Sequence, residues 1–122
     1  MSYDSSYLVM FRFLDYYYFN VDYEENQKTM LGGMLGAMSP DNEFLGGIPD
    51  IAYYSKWTDI CDRYFNSDND YLLCVTEYLT YYIKEYDFDF LLPILDYIKS
   101  DPGINKFHEI KNSYPELKNK II

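Results

Sequence analysis

The amino-acid sequence predicts an all-α fold: a single compact domain of five or six short helices, in one arrangement two helical hairpins joined by a central helix. Three observations carry this prediction. Apolar and aromatic residues recur at spacings of three and four along most of the chain, the period of one helix face. Capping and breaking residues, among them Ser39-Pro40, Asp50, Asp68, Asp89 and Asp101-Pro102-Gly103, cut that pattern into pieces of helical length. A length of 122 residues, 48% of them hydrophobic, suits one core and argues against disorder despite the charge.

The first helix is expected over residues 5–19, after several N-cap candidates within 2–6, with Tyr7, Met10, Phe11, Leu14, Tyr17 and Tyr18 on its apolar face. A polar turn over 20–25 leads to a second stripe, Met30, Leu31, Met34, Leu35 and Met38, which Ser39-Pro40 stops. Gly32, Gly33 and Gly36 weaken this helix by up to about 1 kcal/mol each relative to alanine, so either a neighbouring helix comes close or the helix is short or distorted. Residues 39–49, with two prolines and a Gly-Gly pair, form the longest loop. Asp50 then caps a third helix that buries Tyr53, Trp57, Ile60, Cys61 and Tyr64, exposes Ser55, Asp59 and Asp62, and ends near Asn66.

Asp68 is the expected cap of helix four, where Leu72, Val75, Leu79 and Tyr82 keep the helical period to about Lys84. Asp89 precedes a fifth helix that carries Pro93 in its first turn, runs to about Lys99 and is broken by Asp101-Pro102-Gly103. A short sixth helix over 105–112 turns Phe107 and Ile110 inward, and residues 113–122 read as a frayed tail. A weak repeat underlies the hairpin arrangement. Leu8, Phe13, Leu14, Tyr16 and Tyr17 match Leu73, Tyr78, Leu79, Tyr81 and Tyr82, while Leu31, Leu35 and Met38 match Leu91, Leu95 and Ile98. Any two amphipathic helices can be slid into such agreement, so duplication and coincidence both stay open. Strict alternation occurs only over Tyr86-Asp87-Phe88-Asp89-Phe90, room for one short strand and no sheet.

The formal net charge is −10, with 18 acids against 6 bases in residues 1–102 and 2 against 4 in 103–122. Such a field repels nucleic acid and anionic membrane and favours a basic partner. The first residues, Met-Ser-Tyr-Asp-Ser-Ser, hold no basic stretch followed by an apolar run, and no apolar run approaches a bilayer span, so a cytoplasmic location is expected. Many of the sixteen tyrosines are expected at half-buried positions or on a recognition surface, because each large ring carries a hydroxyl that needs a partner. Cys61 and Cys74 are expected as buried thiols rather than a bridge.

No residue set points to catalysis, cofactor or metal. His108 is the single histidine, and Cys61 and Cys74 are too far apart for a Cys-x-x-Cys site. The pairs Asp68-x-Asp70 and Asp87-x-Asp89 lack the further oxygens, central glycine and closing glutamate of a calcium loop. The Gly32-Gly33 region follows no strand and lacks a downstream lysine, so it is no phosphate cradle. What remains is an acidic surface of Asp22, Glu24 and Glu25 in the first turn, Asp41 and Glu43 in the long loop, and Asp59 and Asp62 on helix three. If helices one to three are consecutive antiparallel neighbours, these acids converge at one end and would steer a basic protein.

Phe13–Tyr17, Leu31–Met38 and Pro49–Trp57 together resemble a family of helical immunity proteins of bacterial contact-dependent growth inhibition and related polymorphic toxins. Phe13-Leu14-Asp15-Tyr16-Tyr17 is similar to the family's helix ending in Phe-Leu-x-x-Tyr-Tyr. Leu31-Gly32-Gly33-Met34-Leu35-Gly36-Ala37-Met38 is similar to its Leu-Gly-x-Leu-Leu-x-x-Met helix after an acidic turn. Pro49-Asp50-Ile51-Ala52-Tyr53-Tyr54-Ser55-Lys56-Trp57 resembles its Asp-Pro-Ala-x-Trp-Glu-Asp-Trp segment. Ile51 there replaces the proline, Tyr54 the first tryptophan and Ser55-Lys56 the acidic pair, so contacts that need those groups do not carry over. The resemblance covers about half the chain and implies a small helical protein, monomeric by preference and without cofactor or reaction, that neutralises the toxic C-terminal domain of a cognate effector, often a nuclease. The alternative is a helical adaptor or regulatory module that binds another basic protein.

Overall fold

Helix follows helix wherever the apolar spacing calls for one. The computed structural model describes residues 3–21, 24–39, 51–66 and 70–113. They form α1 (Tyr3–Asn20), α2 (Glu25–Met38), α3 (Ile51–Tyr64), α4 (Tyr71–Tyr86), α5 (Leu92–Lys99) and α6 (Asp101–Ser113), with a 3₁₀ turn at Asp89–Leu91 leading into α5. Among the described residues the fold is thus all-α with six helices, as expected. The caps expected at Asp50 and Asp68, the loop beyond Ser39 and the tail beyond Ser113 lie outside the described residues.

Helix α1 is the hub, packed on α2, α3 and α6, while α3–α4, α4–α5 and α5–α6 are also neighbours and the 3₁₀ turn closes on α2. Contact on several sides explains why α1 buries Val9 and Phe13 in addition to the expected Tyr7, Met10, Phe11, Leu14 and Tyr17, while Tyr18 is half-buried. A helix enclosed in this way has no single apolar stripe. One continuous core draws on all six helices, from Tyr7 through Leu31, Trp57, Tyr78 and Ile94 to Phe107.

Tyrosine hydroxyls tie the helices together inside this core. Tyr7 donates to the Met38 carbonyl (2.6 Å), which is one of the α2 carbonyls left without a helical partner. Tyr71 donates to the Ser6 carbonyl (2.6 Å) and Tyr78 to the Tyr53 carbonyl (3.0 Å). Trp57, fully buried, donates its indole N–H to the Ser6 hydroxyl (2.9 Å), which satisfies the buried polar side chain on α1. Tyr7, Tyr17, Tyr71, Tyr78 and Tyr82 are core residues, while Tyr16, Tyr18, Tyr53, Tyr54, Tyr64, Tyr81 and Tyr97 take the half-buried positions expected of many tyrosines. A hydroxyl that reaches a backbone carbonyl makes full burial of the ring favourable.

Several boundaries differ from the sequence reading for local reasons. Glu24 caps α2, its carboxylate accepting from the Asn26 and Gln27 N–H groups (3.0 and 2.9 Å). Asp101-Pro102-Gly103 does not separate two helices but opens α6, with Ser100 accepting from the Gly103 N–H (3.2 Å) in the role of an N-cap. No side chain fits at 103: a Cβ there would lie 1.8 Å from the Tyr97 carbonyl oxygen, so glycine lets α6 turn back tightly on α5. The Tyr86 to Phe90 alternation is not a strand. Asp87 takes the left-handed conformation (φ 57°, ψ 36°) that stops α4, and Asp89–Leu91 is the 3₁₀ turn.

In α2, Leu31, Met34, Leu35 and Met38 are buried but Met30 is 55% exposed. Close approach explains only Gly32, where a Cβ would meet the Tyr18 ring at 3.1 Å; Gly33 and Gly36 face open space. The repeat is matched in burial: Phe13 and Tyr78, Leu14 and Leu79, and Tyr17 and Tyr82 are all buried, and α1 packs on α2 as α4 packs on α5.

Candidate functional site

Of the acids singled out in the sequence, Glu24, Glu25, Asp59 and Asp62 are described and all four are exposed; Asp22, Asp41 and Glu43 lie outside the described residues. The four do not converge. Tyr18 of α1 faces Gly32 and Lys28 of α2, whereas Tyr7 reaches Met38, so α2 runs antiparallel to α1 and its first residues sit beside the Asn20 end. Trp57 and Cys61 of α3 bond to Ser6, which places Asp59 and Asp62 at the opposite end of α1, about 20 Å away by the rise of a helix. The antiparallel hairpin of α1 and α2 is as expected; the third helix adds its acids to the other pole.

Each acid also has a local environment. Glu24 is engaged as the α2 cap, so it serves the fold as well as the surface. Asp59 lies 3.9 Å from Lys56 one helical turn earlier and stays 64% exposed. On the far side of α3, Trp57, Ile60 and Cys61 are buried and Tyr53 and Tyr64 half-buried, as the sequence pattern predicts.

The feature that sequence reading missed is a groove between α3 and the end of α4. Its volume is about 380 Å³ and its walls are Tyr53, Lys56, Tyr81, Tyr82, Tyr86 and Phe88, with Ala52 at the edge. Three of these rings, Tyr82, Tyr86 and Phe88, contact one another at centroid separations of 5.7–5.9 Å, and Tyr81 meets Tyr82 edge-on at 5.0 Å. Lys56 Nζ lies 4.1 Å from the Tyr81 ring centroid. The Tyr86 phenol is raised above its ordinary pKa by its hydrogen bond with Tyr81, and burial raises Tyr82 likewise, which leaves Lys56 as the charged group of the wall. Glu85, Asp87 and Asp89, all exposed, alternate in sequence with Tyr86 and Phe88, and Glu85 acts electrostatically on the Tyr86 phenol. The aromatic repeat in the sequence was the available signal, but which rings face outward depends on how α3 crosses α4.

A second cleft of about 260 Å³ between α1 and α2 is lined by Phe11, Asp15, Tyr18, Phe19, Gly32 and Leu35. Burial pushes the Asp15 carboxyl above its ordinary pKa in spite of the nearby Arg12. Cys61 and Cys74 are buried free thiols that hydrogen-bond across the α3–α4 contact, and that bond together with burial holds the Cys61 thiol well up. His108 is exposed on α6. Among the described residues, no group of three or more His, Cys, Asp or Glu is placed to hold a metal ion, and no helix is long and apolar enough to cross a membrane.

Comparison with known proteins finds no matching family model, no matching curated protein and no matching solved structure.

Proposed function

We propose that this chain is a non-catalytic immunity protein that binds the toxic domain of a bacterial effector, a basic protein such as a nuclease, and neutralises it by one-to-one occlusion in the cytoplasm. The observation that carries this reading is the charge. The chain carries a net −10, and among the described residues exposed carboxylates come from the start of α2, the outer face of α3, the α4–α5 connection, α5 and α6, with five bases drawn onto aromatic rings at 4.1–5.6 Å. A field of one sign accelerates encounter with a partner of the other and selects against nucleic acid itself.

The three segments that resemble immunity proteins contribute Phe13, Leu14 and Tyr17, then Leu31, Met34, Leu35 and Met38, then Trp57 to the core. These positions serve packing, and the case for binding rests on the surface. Because the acids occupy two poles, the partner would meet either the α3–α4 side or the α2 start rather than one merged patch.

Titrating the protein into an activity assay of the effector domain encoded beside it should end activity at a fixed molar ratio. Inactivation of many toxin molecules by one copy contradicts occlusion. Absence of a complex with that domain, together with capture of a basic protein of the host cell, favours the adaptor alternative.

A further inference from the structure

We infer that the tyrosine groove between α3 and the end of α4 is a socket for an arginine side chain presented by the basic partner, an inference that rests on reading the chain as a binder of a basic protein. The walls supply what a guanidinium needs. Aromatic faces attract a cation within about 6 Å through the ring quadrupole, and here Tyr53, Tyr81, Tyr82, Tyr86 and Phe88 surround a space of about 380 Å³, enough for one or two side chains. Tyr86 is 56% exposed, so the mouth of the groove is a ring that an incoming side chain can cover. Tyrosine and arginine are the residue types that dominate binding energy where they meet in such desolvated pockets.

The groove already shows its preference through the chain's own residues. Lys56 Nζ rests 4.1 Å from the Tyr81 centroid, the shortest of the five contacts between a base and a ring, although Asp59 stands 3.9 Å away on the solvent side. The segment that bears Tyr86 and Phe88 is acidic: Glu85 acts electrostatically on the Tyr86 phenol, and exposed Asp87 and Asp89 flank Phe88 in sequence, with Lys84 the neighbouring exposed base. An anionic side chain would meet like charge there, and a neutral apolar one would leave the field unused. Arginine fits better than lysine because its planar, weakly hydrated guanidinium stacks on a ring while its N–H groups still reach the carboxylates.

The test uses the full chain and dye-labelled peptides in which glycine alternates with arginine, lysine or the neutral isostere citrulline, read by fluorescence anisotropy at about 0.15 M salt, where remote surface charges are screened. The arginine peptide should bind most tightly and the citrulline peptide least. Replacing both Tyr81→Leu and Tyr86→Leu keeps apolar volume but removes the ring faces, and should weaken arginine binding about tenfold at unchanged helical circular dichroism. Tyr81→Phe with Tyr86→Phe keeps the faces and should bind within about twofold of the parent.

Lys56→Met vacates the Tyr81 face and should tighten binding by more than Lys84→Met, which removes an equal charge outside the groove. Equal effects of the two lysine substitutions, parent-like binding by the leucine pair, or equal affinity for arginine and citrulline would each overturn the socket. The peptide assay involves no toxin, so it separates the two proposals. Peptide binding retained without protection against the toxin counts against the immunity function alone, whereas protection retained by a leucine pair that has lost the peptide counts against the socket alone.

Discussion

Trp57 shows at a single residue how the core is held. Its ring is fully buried against Tyr71 and Tyr78, and its N–H reaches the buried Ser6 hydroxyl of α1. Trp57→Ala should cost about 3–5 kcal/mol in chemical denaturation, since a large ring leaves a cavity that a packed core closes only in part. Trp57→Phe should cost less, but leaves Ser6 with its indole partner removed. An emission maximum characteristic of a water-exposed indole in the folded protein would contradict this placement. Asp15 tests the electrostatics of the α1–α2 cleft. Its pKa is raised by burial, so the folded state holds the proton more tightly than the unfolded chain; its contribution to stability is greatest below the ordinary carboxylate pKa of about 3.9 and declines as pH rises through the raised value. Asp15→Asn should therefore melt higher than the parent at about pH 7, with the gap closing toward about pH 3. A variant that melts lower at neutral pH would mean that the pairing with Arg12 outweighs the desolvation.

At the scale of the helix, the two kinds of glycine make opposite predictions. Gly103→Ala drives a methyl into the Tyr97 carbonyl and should destabilise by about 2–3 kcal/mol or prevent folding. Gly33→Ala meets nothing and should stabilise α2 by up to about 1 kcal/mol. Thermal melts of the two variants check both signs. The contrast also marks what the sequence could convey. The period of Trp57, Ile60 and Cys61 placed their side of α3 inside, and the stop at Ser39 and the end near Lys99 were visible, because both follow from a helix's own geometry. The opening of α6 was not, since Ser100 as a cap and Gly103 as a contact depend on α5 lying directly beneath. Nor was the left-handed Asp87, because Asp-Phe-Asp-Phe alternation has the same period as a strand until α4 fixes where the chain must turn.

For the whole molecule, charge was legible and its geography was not. The excess of acids is a sum over the sequence, but the separation of Glu24 and Glu25 from Asp59 and Asp62 arises from α3 crossing the Ser6 end of α1, a choice that tertiary packing makes. The tyrosine groove is of the same kind, assembled from α3, α4 and the turn after it. Substituting the acids at the two poles separates their roles: Asp59→Asn with Asp62→Asn should slow association and weaken its salt dependence with little loss of stability, since exposed acids contribute little to folding. Glu24→Ala should cost about 1 kcal/mol of stability as well, because it removes the α2 cap. The central proposal, one-to-one capture of a basic toxin domain, is tested most directly by calorimetric titration of this protein with the C-terminal domain of the proposed cognate effector. The account predicts a sharp equivalence at one to one, an affinity that falls as salt is raised, and loss of toxic activity at the same point. No heat of binding, or activity lost far below equivalence, would contradict it.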